Sequence, residues 1–253
     1  MQRILTLCSP TGGIGKSTLA LHLSQMLAKD GKKTLLVDAS PLSPSLDILA
    51  GVGERVVYTL SDIANGLCSP SRAALALDGE GPLSLLPLSA GETLTDGQLA
   101  DAVKRAVKEL SPDFTVIDVS PSLFEGARTV SDTVLLMTDP RPASLRSAEA
   151  FSSAHEGIDR FILTRASFSY EGCQGEISVI DAVDTVSLPL LGVLPYTPRI
   201  RTAEGIPPRS PYEQALKNIK KRLLGEDVPL LSGVTLEGMS RRYFIERQSK
   251  AEK

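Results

Sequence analysis

The chain has 253 residues, is 42% apolar and 4% aromatic with no Trp, and carries a net charge of −3. That length fits one α/β domain or two small ones with a core of Leu, Val, Ile and Ala. The charge gives no global electrostatic case for nucleic-acid binding. Cys8, Cys68 and Cys173 form no C-x-x-C pair, and no apolar run approaches the roughly 18 residues of a membrane span. This argues against structural zinc, an iron–sulfur carrier and an integral membrane protein, and the expectation is a cytoplasmic chain without a signal peptide.

Ile4-Leu5-Thr6-Leu7 reads as a buried strand, and Leu19, Leu23 and Leu27 read as one face of a helix running from Thr18 to Lys29. Between them lies Thr11-Gly12-Gly13-Ile14-Gly15-Lys16-Ser17-Thr18. Strand, glycine loop and helix is the geometry that cradles phosphate, because backbone N–H groups and the helix N-terminus converge on the anion. In such a loop the lysine reaches the β/γ-phosphates and the serine hydroxyl ligates Mg²⁺. Lys16 and Ser17 are the candidates for those roles. The general pattern, G-x-x-x-x-G-K-[ST], is broken at its first position by Pro10. A glycine-rich turn that merely precedes a helix is the bland alternative.

Asp30-Gly31 closes the helix, and Lys33 to Asp38 forms a short apolar strand ending in an acid. Pro41 to Pro44 is loop, Leu60 to Leu67 a short helix, and Ser69 to Pro82 loop or short helix. A strand follows at Leu83 to Leu88, a helix at Thr95 to Leu110, and a buried strand at Phe114 to Asp118. Thr133 to Thr138 is a strand, with a helix around Ser144 to Ser153. Phe161 to Thr164 and Leu190 to Leu194 are the last strands, Gly205 to Pro211 is irregular, and Ser210 to Leu224 is a helix. Continuous apolar strands, each followed by a helix, predict a doubly wound, mostly parallel α/β sheet flanked by helices. Ligands of such sheets sit at the carboxyl ends of the strands, where Asp38 and Asp118 fall. Asp118 suits the acid that holds a Mg²⁺ water near Ser17, or else caps the next loop. Asp38 is placed to orient or deprotonate an attacking water, or else caps the turn before Pro41.

Taken together, these segments resemble the MinD/ParA group of P-loop ATPases, the deviant Walker A family, over residues 3 to 225. The matching segments are Gly-Gly-Ile-Gly-Lys-Ser-Thr, Gly31 to Asp38, Tyr58 to Ile63, Asp113 to Asp118 with Pro121, and Leu191 to Pro195. The resemblance implies a nucleotide-binding domain over 1–225 with a separate tail over 226–253. It implies ATP or ADP with Mg²⁺, held by Gly12, Gly13, Ile14, Gly15, Lys16, Ser17 and Thr18, with Ser17 and Asp118 on the metal. Thr164-Arg165 stands where an asparagine–basic pair reads adenine, and Pro195 lies near the base. Asp38 and Lys16 carry the catalytic roles.

The signature lysine that reaches across the family's dimer is replaced here by Thr11, and a second switch I aspartate by Ser40. A neutral hydroxyl cannot supply charge to a developing transition state. Binding is therefore expected to survive and hydrolysis to be weak or absent. A loop without that lysine looks most like the TadZ/CpaE branch, which marks polar sites for pilus or secretion assembly. The implied state is a homodimer that recruits a protein partner of a localised assembly, peripheral at the membrane or cell pole. A non-hydrolysing nucleotide-bound scaffold is the first alternative, and a metabolic P-loop enzyme the second.

Leu236 to Gln248 reads as an amphipathic helix, for its own domain, a partner or a membrane surface; Gly238 and Glu246 weaken the membrane reading. The basic run Lys217 to Arg222 reads as a solvated helix face or a DNA contact.

Overall fold

A computed structural model describes residues 2–77, 79, 81–167, 176–197, 200, 205–206 and 208–230. Among the described residues, eight strands are interspersed with helices along the chain. These are β1 (Arg3–Cys8), α1 (Lys16–Lys29), β2 (Thr34–Ala39), α2 (Leu46–Leu49), α3 (Leu60–Ala64), α4 (Pro70–Ala73), β3 (Leu75–Ala76), β4 (Leu83–Leu86) and α5 (Asp96–Leu110). They continue with β5 (Phe114–Val119), α6 (Phe124–Arg128), β6 (Thr133–Thr138), α7 (Pro142–Ala154), β7 (Arg160–Ala166), α8 (Val179–Val186), β8 (Leu190–Pro195) and α9 (Pro211–Leu223). The expected mostly parallel sheet flanked by helices is the architecture found: every strand pairing described is parallel except that of β3 with β4.

The described residues form two compact units, one chiefly from residues 2–8 and 16–134, the other from 9–15, 135–200 and 206–230. In the first unit the strand order is β3-β4-β2-β5-β1. β2 and β5 are buried at every position, as strands covered on both faces must be. Their register sets Asp38 beside Asp118, and that of β1 with β5 sets Leu7 beside Asp118. The two acids therefore end adjacent strands at one sheet edge. α1 packs on β1, β2, β4 and β5, burying Leu19, Leu23 and Leu27 as the apolar spacing requires.

Capping fixes several helix starts. Thr59 with Asp62 and Thr95 with Gln98 form reciprocal capping boxes at α3 and α5. α3 stops at Ala64, short of Leu67, because Gly66 takes a left-handed φ of 74°. β3, within the segment expected as loop or short helix, pairs antiparallel with β4 through Leu75 and Ala76. The Ala76 carbonyl also accepts from the Arg55 guanidinium at 3.1 Å.

The second unit carries β6-β7-β8. α9 starts at Pro211, with Ser210 as cap, and lies on β8. Gly192 in β8 permits this packing, since a Cβ there would run into the Ile219 side chain. The basic run sits on α9 among local partners: Lys217 pairs with Glu213 at 2.7 Å, and Arg222 donates to the Val228 carbonyl at 2.8 Å. The proposed tail helix from Leu236 lies outside the described residues. No helix among the described residues is long and apolar enough to cross a membrane.

Candidate functional site

The chain leaves β1 at Cys8 and enters α1 at Lys16 through the glycine loop. Gly13 and Gly15 have φ of 71° and 95°, a left-handed region that residues with a Cβ enter only at a cost. A Cβ built on Gly12, Gly13 or Gly15 would meet nothing within 4 Å, so it is the backbone angles of Gly13 and Gly15, and not a close neighbour, that call for glycine. The turn before it is closed by Ser9, whose Oγ donates to the Thr11 carbonyl at 2.9 Å and accepts from the Thr11 N–H at 3.1 Å. That turn uses only the backbone of residue 11.

Lys16 forms an ion pair with Asp118 and lies 3.4 Å from Ser40 Oγ. The Lys16 side chain is 14% exposed and that of Asp118 only 1%. The second Asp118 oxygen, Oδ2, is buried with no hydrogen-bond partner. A desolvated, unsatisfied carboxylate oxygen is costly in a finished core and calls for an external partner. A hydrated cation would satisfy it, so this carboxylate oxygen fits the Mg²⁺ role expected of Asp118.

Asp38 is 1% exposed and accepts three backbone N–H groups. Ser40 donates at 3.0 Å, Ser45 at 3.0 Å and Leu46 at 3.1 Å. The carboxylate thus organises the loop into α2, a helix that no apolar periodicity announces. Burial pushes the Asp38 carboxyl up to about 7 and the Asp118 charge adds to this, against the pull of the three N–H groups. Because the folded state holds this proton more tightly than the unfolded chain, the group's contribution to stability falls as pH rises from about 4 to 7. Asp38→Asn should destabilise the fold by about 1–3 kcal/mol, since an amide cannot accept all three bonds. The loss should be largest at the acid end of that range and shrink toward neutral pH, as read by urea unfolding of both proteins across pH.

In the second unit, Thr164 is 3% exposed and its hydroxyl faces the carbonyls of Ile14 at 3.0 Å and Thr138 at 3.2 Å. Arg165 donates to the Gly13 carbonyl at 2.8 Å and lies over the Tyr196 ring at 5.2 Å. Pro195, the last residue of β8, is buried and leads into Tyr196. A cavity of about 300 Å³ opens here, lined by Asp139, Arg141, Arg165, Ser167, Glu176 and Tyr196. The buried Asp139 carboxylate is held by Arg141 through two contacts of 3.0 and 2.8 Å from Nε and one of 2.6 Å from Nη2. Asp139, Arg141 and Tyr196 did not stand out in the sequence. Tyr196 directly follows the Leu-Pro pair that ends β8, and Asp139-Pro-Arg-Pro follows the apolar β6 run, so strand-end position was the available signal.

Residues 5–206 match the family model of the CobQ/CobB/MinD/ParA nucleotide binding domain. The chain belongs to that family. It is 30% identical to the septum site-determining protein MinD of Synechocystis sp. over 247 residues, covering 91% of this chain and 92% of that protein. Its fold is similar to MinD in the MinC:MinD cell division protein complex of Aquifex aeolicus, with a TM-score of 0.79, 26% identity, and 90% and 98% of the two chains covered. It is also similar to MinD complexed with Mg-ADP from Pyrococcus horikoshii, with a TM-score of 0.74, 28% identity, and 88% and 96% covered.

Proposed function

We propose that the protein binds Mg-ATP and uses it to position or recruit a macromolecular assembly, with little hydrolysis of its own. One observation carries the binding half: Lys16, the residue that follows the glycine loop, is paired with an Asp118 whose second oxygen lacks a partner. Lys16 would hold the β/γ-phosphates, while Ser17 and Asp118 would hold Mg²⁺ and its water. Bound Mg²⁺ neutralises charge on the phosphate oxygens. Residues 12–18 supply the N–H cradle, and Asp38 the carboxylate that orients water once it is released from its loop contacts. The relatives support the positioning half: MinD is named for septum-site determination, and one solved relative is held in a MinC:MinD complex. A homodimer with a protein partner follows from the same likeness.

Thr11 favours weak hydrolysis and, within positioning proteins, the TadZ/CpaE-like branch that serves pilus or secretion assemblies. The same residue supports the second reading, a non-hydrolysing scaffold whose shape is fixed by nucleotide. Titration calorimetry with Mg-ATP, followed by phosphate-release and sedimentation measurements, tests the proposal. The expected result is saturable binding, phosphate release barely above background, and modest ATP-dependent self-association. No heat with Mg-ATP or Mg-ADP overturns it. Brisk turnover by the isolated protein overturns the scaffold reading.

A further inference from the structure

The pair Thr164-Arg165 occupies the position expected to read the base, yet both side chains point at the phosphate loop. Thr164 bonds the carbonyl of Ile14 and Arg165 that of Gly13, two consecutive peptide groups. Both peptides are trans, so each tied carbonyl sends the next N–H, of Ile14 and of Gly15, in the opposite direction. Neither N–H has an acceptor among the described residues. Fixing these carbonyls from outside therefore presents two free donors on the other side of the loop, as an anion nest requires.

The backbone is distorted to make this reach. Against β8, Leu163 is opposite Val193 and Ala166 opposite Pro195, so β7 carries one extra residue between them. Arg165 takes a left-handed φ of 56° within that bulge. A bulge of this kind re-aims a side chain, and a non-glycine residue in this region persists only when its surroundings hold it. Tyr196, under the guanidinium, is one such support.

We infer that Thr164 and Arg165 are positioning residues that clamp the phosphate loop in its anion-binding shape, rather than readers of the base. The inference rests on the nucleotide-binding reading only for its ligand arm. A base reader acts on adenine alone, whereas a clamp acts on everything that carries the phosphates.

The test uses Thr164→Val, which keeps the shape and removes the hydroxyl, and Arg165→Gly, which removes the guanidinium and also relieves the left-handed backbone. Amide ¹⁵N relaxation of loop residues 12–16 is measured in the nucleotide-free proteins. Mg-ATP, Mg-GTP and tripolyphosphate are then titrated into each. The clamp predicts lower backbone order parameters across the loop in both variants. It also predicts that affinity for all three ligands falls by a common factor of about two- to ten-fold, the worth of one net hydrogen bond, while global stability of Arg165→Gly is retained. Unchanged loop order parameters overturn the clamp, and so does a loss for ATP with tripolyphosphate unaffected. If loop order falls but the wild-type protein binds none of the three ligands, the clamp stands and the nucleotide reading falls.

Discussion

Lys16→Ala is expected to fail twice, in binding and in folding. The ammonium is the fixed cation for the β/γ-phosphates, and charge-assisted bonds of this kind are worth about 1.5–3 kcal/mol, so affinity for Mg-ATP should drop by about 10- to 150-fold or more. The same ammonium is the partner of Asp118, whose side chain is 1% exposed. Removing one member of a buried pair leaves an uncompensated charge and costs about 3–5 kcal/mol. The two effects separate in the double variant Lys16→Ala/Asp118→Asn, which carries neither charge. Its urea midpoint should recover most of the loss, while its affinity for Mg-ATP stays as low as that of Lys16→Ala or lower. Recovery of binding in the double variant, or full affinity in the single one, would remove Lys16 from the phosphate site.

Thr11→Lys is expected to raise phosphate release from near background by up to about 10³, the lower end of what a transition-state cation supplies in phosphoryl transfer. The local structure favours the exchange. The turn at residue 11 is held by Ser9 through the Thr11 backbone N–H and carbonyl, so the side chain can change without dismantling it. Single-turnover phosphate release with matched Mg-ATP occupancy is the measurement, and sedimentation reports any gain in ATP-dependent association. Unchanged release at full occupancy would move the block from the missing lysine to the second substitution, Ser40, whose N–H is tied to Asp38.

The loop, its lysine and both strand-end acids were legible because each depends on local chemistry: glycines where φ is positive, and an acid closing an apolar run. Parallel strands were equally plain, since double-sided burial leaves no polar alternation in β2 or β5. Other parts were not legible. α2 spans four residues, too few to show a period, and it is fixed by Asp38 from eight residues upstream. α6 likewise owes its place to a long-range bond, the Gly126 N–H to Asp96 at 2.6 Å. The orientation of Arg165 could not be read from the string because it depends on a one-residue mismatch between two strands. Sequence position put Thr164 and Arg165 at the right edge of the sheet. Only three-dimensional register shows which way they face.

β3 bears on how the protein behaves when concentrated. An open β-edge is a template on which a second chain can add, and its danger grows with its length and flatness. Here the antiparallel edge is two residues long, and the Ala76 carbonyl is already taken by an arginine. An incoming strand would have to displace that charged group for a single hydrogen bond and then run out of partners. Fibrillar growth from this side is thereby discouraged by design of the edge itself, whatever the state of the nucleotide site.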